Sequence, residues 1–219
     1  MRQLGPVALA VVLVTCGGVP QAGAPSASPS PSPSVAAAAS AIPSYAPKAE
    51  GFSSKVLIEQ PRTLSTSVTG YISIATGTTT PGSGVSAVVS DRESFTASYQ
   101  AAADRPATKA APVVYATPDV PPLPAGRYTE GLRLVVVQPG GRSAAHMHSG
   151  IEGVLVLEGR VLVRSGGNPP TFLDPGQGFY ILPKVPVQLI NAGSALARTL
   201  VYSISPEGAP FSTELDESP

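Results

Sequence analysis

The sequence predicts an all-β fold, on three observations. Of 219 residues, 25 are proline and 22 are glycine, well above the roughly 12% that the two together supply in ordinary domains. That excess suits turns and excludes a mostly helical protein. The apolar residues come in short runs rich in valine and isoleucine, the side chains that fit a pleated surface. Turn residues separate these runs at close spacing with no strand–helix–strand alternation, which indicates an antiparallel barrel or sandwich.

Taken in order, the chain opens on a weakly basic Met1-Arg2-Gln3 and an apolar run over residues 7–14. The run is too short for a bilayer, which needs about 20 apolar residues, and has the length of a signal-peptide core. It leads into Leu13-Val14-Thr15-Cys16-Gly17, which resembles a bacterial lipobox whose cysteine becomes the lipidated first residue of the mature protein. Lipidation of Cys16 implies a cell-membrane anchor facing the extracytoplasmic side. The alternative is ordinary secretion, with cleavage near Ala22 or Ala24. Cys16 is the sole cysteine, so no intrachain disulfide forms. Residues 17–50 are Pro, Ser and Ala around Ser28-Pro29-Ser30-Pro31-Ser32-Pro33. Such a segment has too little apolar surface to offset its ordering entropy and reads as a disordered tether. Everything before about Phe52 is expected to be dispensable for folding.

Beyond the tether, strands are expected at 55–58, 71–74, 85–89, 113–115 and 132–137, then at 154–157, 160–164, 171–173, 179–182, 187–190 and 199–204. The turns between them are carried by Pro139-Gly140-Gly141, Glu158-Gly159, Gly166-Gly167-Asn168-Pro169, Pro175-Gly176 and Asn191-Ala192-Gly193. One weak helix is expected at 94–103. The proline-rich stretch 118–124 divides the region into an accessory β segment, 51–111, and a main domain of regular strands, 112–212. Residues 213–219 read as a flexible C-terminal tail.

Fourteen basic and fourteen acidic side chains cancel, which argues against a nucleic-acid partner in need of a basic surface. Gly82-Ser83-Gly84 lacks the lysine of a phosphate loop, and no Ser–His–Asp set is visible. Chemistry concentrates in one place, since both histidines fall in His146-Met147-His148, with Glu152 four residues on. On a strand, residues i and i+2 share a face. A carboxylate arriving after the turn completes two nitrogens and one oxygen, a set suited to Mn, Fe, Ni or Zn with open positions for a ligand. The blander alternative is a polar pocket whose histidines are hydrogen-bonded without metal. Arg160 and Arg164 alternate with Val161 and Val163 and read as a solvated strand face. Tyr128, Arg133 and Lys184 read as surface residues.

Gly140, His146, His148, Glu152 and Gly159 are separated by five, one, three and six residues, a pattern that resembles the first conserved motif of the cupin superfamily. The resemblance covers about residues 111–212. It implies a cupin-type double-stranded β-helix, a jelly-roll barrel, after the disordered N-terminal segment. It further implies that His146, His148 and Glu152 point inward as metal ligands, with Gly140 and Gly159 at turns. Pro175-Gly176-Gln177-Gly178-Phe179-Tyr180-Ile181 resembles the opening of the second cupin motif, and Asn191 its closing asparagine. Between them the sequence departs: Leu182 stands where the family has Pro, Lys184 where it has Gly, and Val187 where it has the third histidine. The fourth ligand is therefore missing. Tyr180, Val187 and Asn191 are the remaining pocket candidates, with Gln188 on the opposite strand face.

With the lipobox implying a membrane-anchored, extracytoplasmic protein, the cupin resemblance implies that it binds a divalent metal and acts on a small molecule, with oxygenase or isomerase chemistry as the family's usual options. The alternative is a non-catalytic module that binds a sugar or cell-envelope fragment around a vestigial metal site. A purely structural domain is the third reading. A homodimer joined through barrel edges is expected by analogy with the family.

Overall fold

The structure, a computed structural model, describes residues 45–46, 48–76, 85–89, 94–105 and 113–215. All of them belong to the unit Ile42–Pro219. The signal segment, Cys16, most of the tether, the loop after Thr76 and the last four residues lie outside them.

In chain order the strands are β1 (Glu50–Leu64), β2 (Val68–Thr76), β3 (Val85–Val89), β4 (Ser94–Ala101), β5 (Val113–Ala116), β6 (Val120–Leu123) and β7 (Gly126–Arg142). They continue with β8 (His146–His148), β9 (Ile151–Glu158), β10 (Val161–Ser165), β11 (Thr171–Leu173), β12 (Gly178–Ile181), β13 (Val187–Asn191), β14 (Ala197–Pro206) and β15 (Ser212–Glu214). Every strand expected from the apolar runs is present. The larger sheet runs β11-β10-β13-β7-β14-β9-β12, with β1 added on β7 and the short β8 and β15 on β13. All its pairings are antiparallel, and the sheet curls into a nearly closed jelly-roll barrel. The smaller sheet has the order β3-β4-β2-β5, with β6 on β2.

The central strands of the barrel are apolar on both faces because both faces are covered. On β7, β9 and β14, Leu132, Leu155, Leu200, Tyr202 and Ile204 pack outward against Ile72, Ile74, Phe95 and Tyr99 of the second sheet. The alternate residues Val135, Val137, Val154, Val156 and Val201 fill the barrel interior with Val161, Val187 and Leu189. The period of two thus divides one strand between two cores. Close approach of the sheets demands glycine at position 178, where a Cβ would stand 2.7 Å from the Tyr115 ring.

A buried polar network joins the two sheets. The fully buried Glu130 on β7 accepts from the Tyr202 hydroxyl and from Arg62 Nη1 at 3.0 Å. Tyr202 in turn accepts the Tyr99 backbone N–H at 2.9 Å. Burial, and then the Glu130 carboxylate, hold the Tyr202 phenol protonated, well above its usual range.

The structure corrects six expectations. Residues 94–103 are not helical: Ser94–Ala101 is a strand on β2, followed by a single 3-10 turn at Ala102–Asp104. There Phe95, Ala97 and Tyr99 join the core on one face, while Thr96 and Ser98 are buried on the other. The sheets do not divide near residue 111, because β1 pairs with β7 along its length while β5 and β6 belong to the second sheet. The end of the tether is part of the fold. Ala46 exchanges hydrogen bonds with the buried Gln188 amide and accepts the Ala145 N–H, and the Tyr45 hydroxyl donates to Gly166 O at 2.9 Å. The tail begins as strand β15 on β8, and Leu215 N–H donates to Ala145 O. Arg164 is buried rather than solvated, and Tyr128 is buried as well.

Candidate functional site

Two glycines shape the site strands, Gly159 in the turn after β9 and Gly140 inside β7, where a register shift against β1 replaces the turn expected at Pro139-Gly140-Gly141. Gly140 and Gly159 have φ of 71° and 75°, a region open to glycine at little cost. Lys184, at the position where the second cupin motif has glycine, keeps the same conformation with φ 63° and is the one non-glycine residue to do so among the described residues. Its N–H donates to His148 O at 2.9 Å, so this turn also holds the backbone of β8.

His146 and His148 share a face of β8, and Glu152 enters from β9, whose next inward residues are Val154 and Val156. His148 Nε2 and Glu152 Oε2 stand 2.7 Å apart, both almost completely buried. Neither atom has a partner in hydrogen-bond geometry. The histidine Nδ1 atoms are both committed to backbone carbonyls, that of His146 to Ala144 O at 2.8 Å and that of His148 to Phe211 O at 3.0 Å. A carbonyl only accepts, so each Nδ1 carries a proton and each Nε2 keeps its lone pair when the ring is neutral. The rings meet edge to face at 4.7 Å. Burial lowers the His146 pKa below the usual value, the Ala144 carbonyl only partly opposing it. Burial acts in the same sense on His148, but the Glu152 carboxylate and the Phe211 carbonyl outweigh it, and that pKa is raised.

These side chains line a cavity of about 280 Å³ at the barrel mouth. Its other walls come from β1, β7, β13 and the C-terminal segment, including Phe52, Arg133, Leu189, Phe211 and Glu214. Glu214 lies opposite His146 in the β15–β8 register. The sequence reading missed Arg133, Phe211 and Glu214. Arg133 lies two residues before the inward-facing Val135, a period-two signal present in the sequence. Phe211 and Glu214 reach the site only through long-range pairing.

The remaining predicted positions lie elsewhere. Val187 is fully buried in the barrel core, directly across from His146 in the β13–β8 register. Tyr180 faces the second sheet beside Tyr115, whose phenol is pushed up to about 12 by burial and then by Tyr180. Asn191 holds a turn, donating to Val137 O and Ala195 O while accepting the Gly193 N–H. None of the three is among the residues that line the cavity. Gln188 faces away from it, as expected, and clamps Ala46.

The donor chemistry fits a cation. With His148 protonated the two atoms form an ion pair; with the ring neutral they are two buried lone pairs 2.7 Å apart that repel each other unless a cation lies close, and the spacing suits two neighbouring ligands of one ion. The set is not closed, however. Among the described residues, no group of three or more His, Cys, Asp and Glu stands ready to enclose a metal. His148 and Glu152 converge, while His146 stands beside them.

Residues 133–203 match the family model of the cupin domain. No curated protein sequence matches the chain. Solved structures with similar folds include an oxalate oxidase in complex with the substrate analogue glycolate, at 22% identity and a TM-score of 0.36 over 39% of this chain and 46% of that one. The DMSP lyase DddQ from Ruegeria pomeroyi DSS-3 is 19% identical, with a TM-score of 0.36 over 39% and 42%. A conserved protein with a double-stranded β-helix domain from Klebsiella pneumoniae subsp. pneumoniae MGH 78578 is 22% identical, with a TM-score of 0.35 over 39% and 75%. The chain spans less than half the length of the oxidase and lyase chains.

Proposed function

We propose, from the premise that residues 133–203 are a cupin domain, that this chain binds a divalent metal at the barrel mouth and presents it to a small molecule in the adjoining cavity. His148 and Glu152 are the primary ligands, with His146 completing the set. The observation that carries the reading is the buried His148 Nε2–Glu152 Oε2 pair at 2.7 Å, two atoms with no other partner that a cation joins once His148 is neutral. The Ala144 and Phe211 carbonyls support it by fixing each ring through Nδ1, as the outer partners of metal-bound histidines do. When bound, such an ion supplies a Lewis-acid centre with open positions for a small molecule. The chain's own residues orient the rings through the Ala144 and Phe211 carbonyls and exclude bulk water through Phe52, Leu189 and Phe211.

Zinc or manganese titration of the chain without its lipid, followed by calorimetry, tests this. His148→Ala and Glu152→Ala should abolish binding, and Val187→His should tighten it at least tenfold by adding a ligand across from His146. Affinity should fall with falling pH, because His148 must lose its proton before it can bind. Its raised pKa means the loss starts above pH 6.5, the usual histidine value, whereas His146 stays neutral there. Binding by Val187→His alone, with none by the natural chain, would favour the vestigial site and the non-catalytic sugar- or envelope-fragment module.

The same proposal places the domain outside the cytoplasm on a lipid anchor at Cys16, supported by the order of basic start, apolar run, cysteine and Pro/Ser spacer in the sequence. Cys16→Ser should release the protein from the membrane fraction. Unchanged fractionation and cleavage would point to ordinary secretion.

A further inference from the structure

We propose that Arg133 is the specificity residue of this cavity and selects a small ligand that carries a carboxylate. The inference rests on the reading that the cavity takes a small molecule, but on none of the atoms assigned to the metal.

Arg133 is the sole lysine or arginine lining the His146–His148–Glu152 cavity among the described residues. It also lines a second, more polar cavity of about 460 Å³ with Glu59, Ser203, Ser205 and Phe211. The guanidinium is thus part of the wall between the two spaces. Its carbon lies 4.0 Å over the Phe211 ring, a stacking that holds the plane of the fork.

Those donors are under-used. Nη2 reaches Glu59 at 3.2 Å, and the Glu59 side chain is half exposed, a partner that an incoming anion can replace. Nε is buried with no hydrogen-bond partner. A guanidinium has five N–H donors in a geometry that matches a carboxylate with two parallel bonds. An acceptor at this wall would take Nη2 from the half-exposed Glu59.

Phe211 links recognition to the site. The ring that carries Arg133 also packs against the His148 ring at 4.8 Å, and the carbonyl of the same residue holds His148 Nδ1. Val135, Val201 and Leu189 supply an apolar wall. A volume of about 280 Å³ is at the lower end for small-molecule pockets. The ligand is therefore compact, with an apolar body and one anionic end.

The test compares acetate, butyrate and benzoate with their amides, acetamide, butyramide and benzamide, by calorimetry on the chain with and without zinc. At least one carboxylate should bind ten or more times tighter than its amide. Arg133→Gln should erase that ratio, and Arg133→Lys, which keeps the charge but not the fork, should keep a smaller preference. Glu59→Gln, which removes the internal competitor at an exposed position, should widen the ratio two- to fivefold. Equal binding of acid and amide by the natural chain, with and without zinc, overturns the proposal, as does a preference that survives Arg133→Gln. Should Arg133→Gln fail to fold, a ratio unchanged or reduced by Glu59→Gln overturns it instead. Absence of zinc uptake counts against the metal reading alone, because the acid–amide ratio is measured independently of it.

Discussion

Lys184 shows how one residue can carry a family's geometry without the family's side chain. Its φ of 63° is the left-handed conformation that glycine adopts freely, and its N–H holds the His148 carbonyl. A Cβ in that region costs roughly 1–2 kcal/mol, and glycine returns part of that as unfolded-state entropy. Lys184→Gly should therefore stabilise the protein by about 1 kcal/mol, read as a rise of roughly 2–4 °C in melting temperature. A fall would show that the lysine side chain contributes more than its backbone costs. The departure from the motif was visible in the sequence. That the backbone kept the turn despite it was not, because a neighbouring strand enforces the conformation.

Strand pairing decides which segments belong to the domain. Residues 45–46 read as the end of a tether, yet the fully buried Gln188 donates to Ala46 O at 2.9 Å and accepts its N–H at 3.2 Å. A chain starting at residue 52 loses these bonds and leaves buried polar groups short of partners, at a cost of roughly 2–3 kcal/mol. Against a chain starting at residue 42, it should melt about 5–10 °C lower. Equal melting temperatures would show that water replaces Ala46 without loss. Composition could not reveal this docking, because Tyr45-Ala46 differs little from the Pro/Ser/Ala chain before it. Its partner lies 142 residues away. The mistaken helix at 94–103 has a related cause, since its alternating Phe95, Ala97 and Tyr99 find their face only when the second sheet meets the barrel.

Across the whole molecule, the two sheets share one core and one polar joint. The Tyr202 hydroxyl donates to Glu130 and accepts from Tyr99 N–H, with all three groups buried. Tyr202→Phe keeps the ring packing but strands the Tyr99 N–H and removes a donor from a buried carboxylate. The cost should be roughly 2–3 kcal/mol in chemical denaturation. Because the joint connects the sheets, the two should still unfold in one transition. A second transition would mean that they fold separately.

Local physics determined a great deal from sequence alone. Strand positions followed from period-two apolar runs, the turn at Gly159 from a residue that tolerates positive φ, and the shared face of His146 and His148 from their i, i+2 spacing. Each of these depends on residues close in the chain. The tertiary structure alone decided that Arg133, Phe211 and Glu214 line the same cavity as the histidines, that β1 belongs to the barrel, and that Tyr180 faces the second sheet. These depend on register between strands far apart in sequence, where a shift of one residue sends every side chain to the opposite face. The burial that selects one register over the other exists only once both sheets have packed.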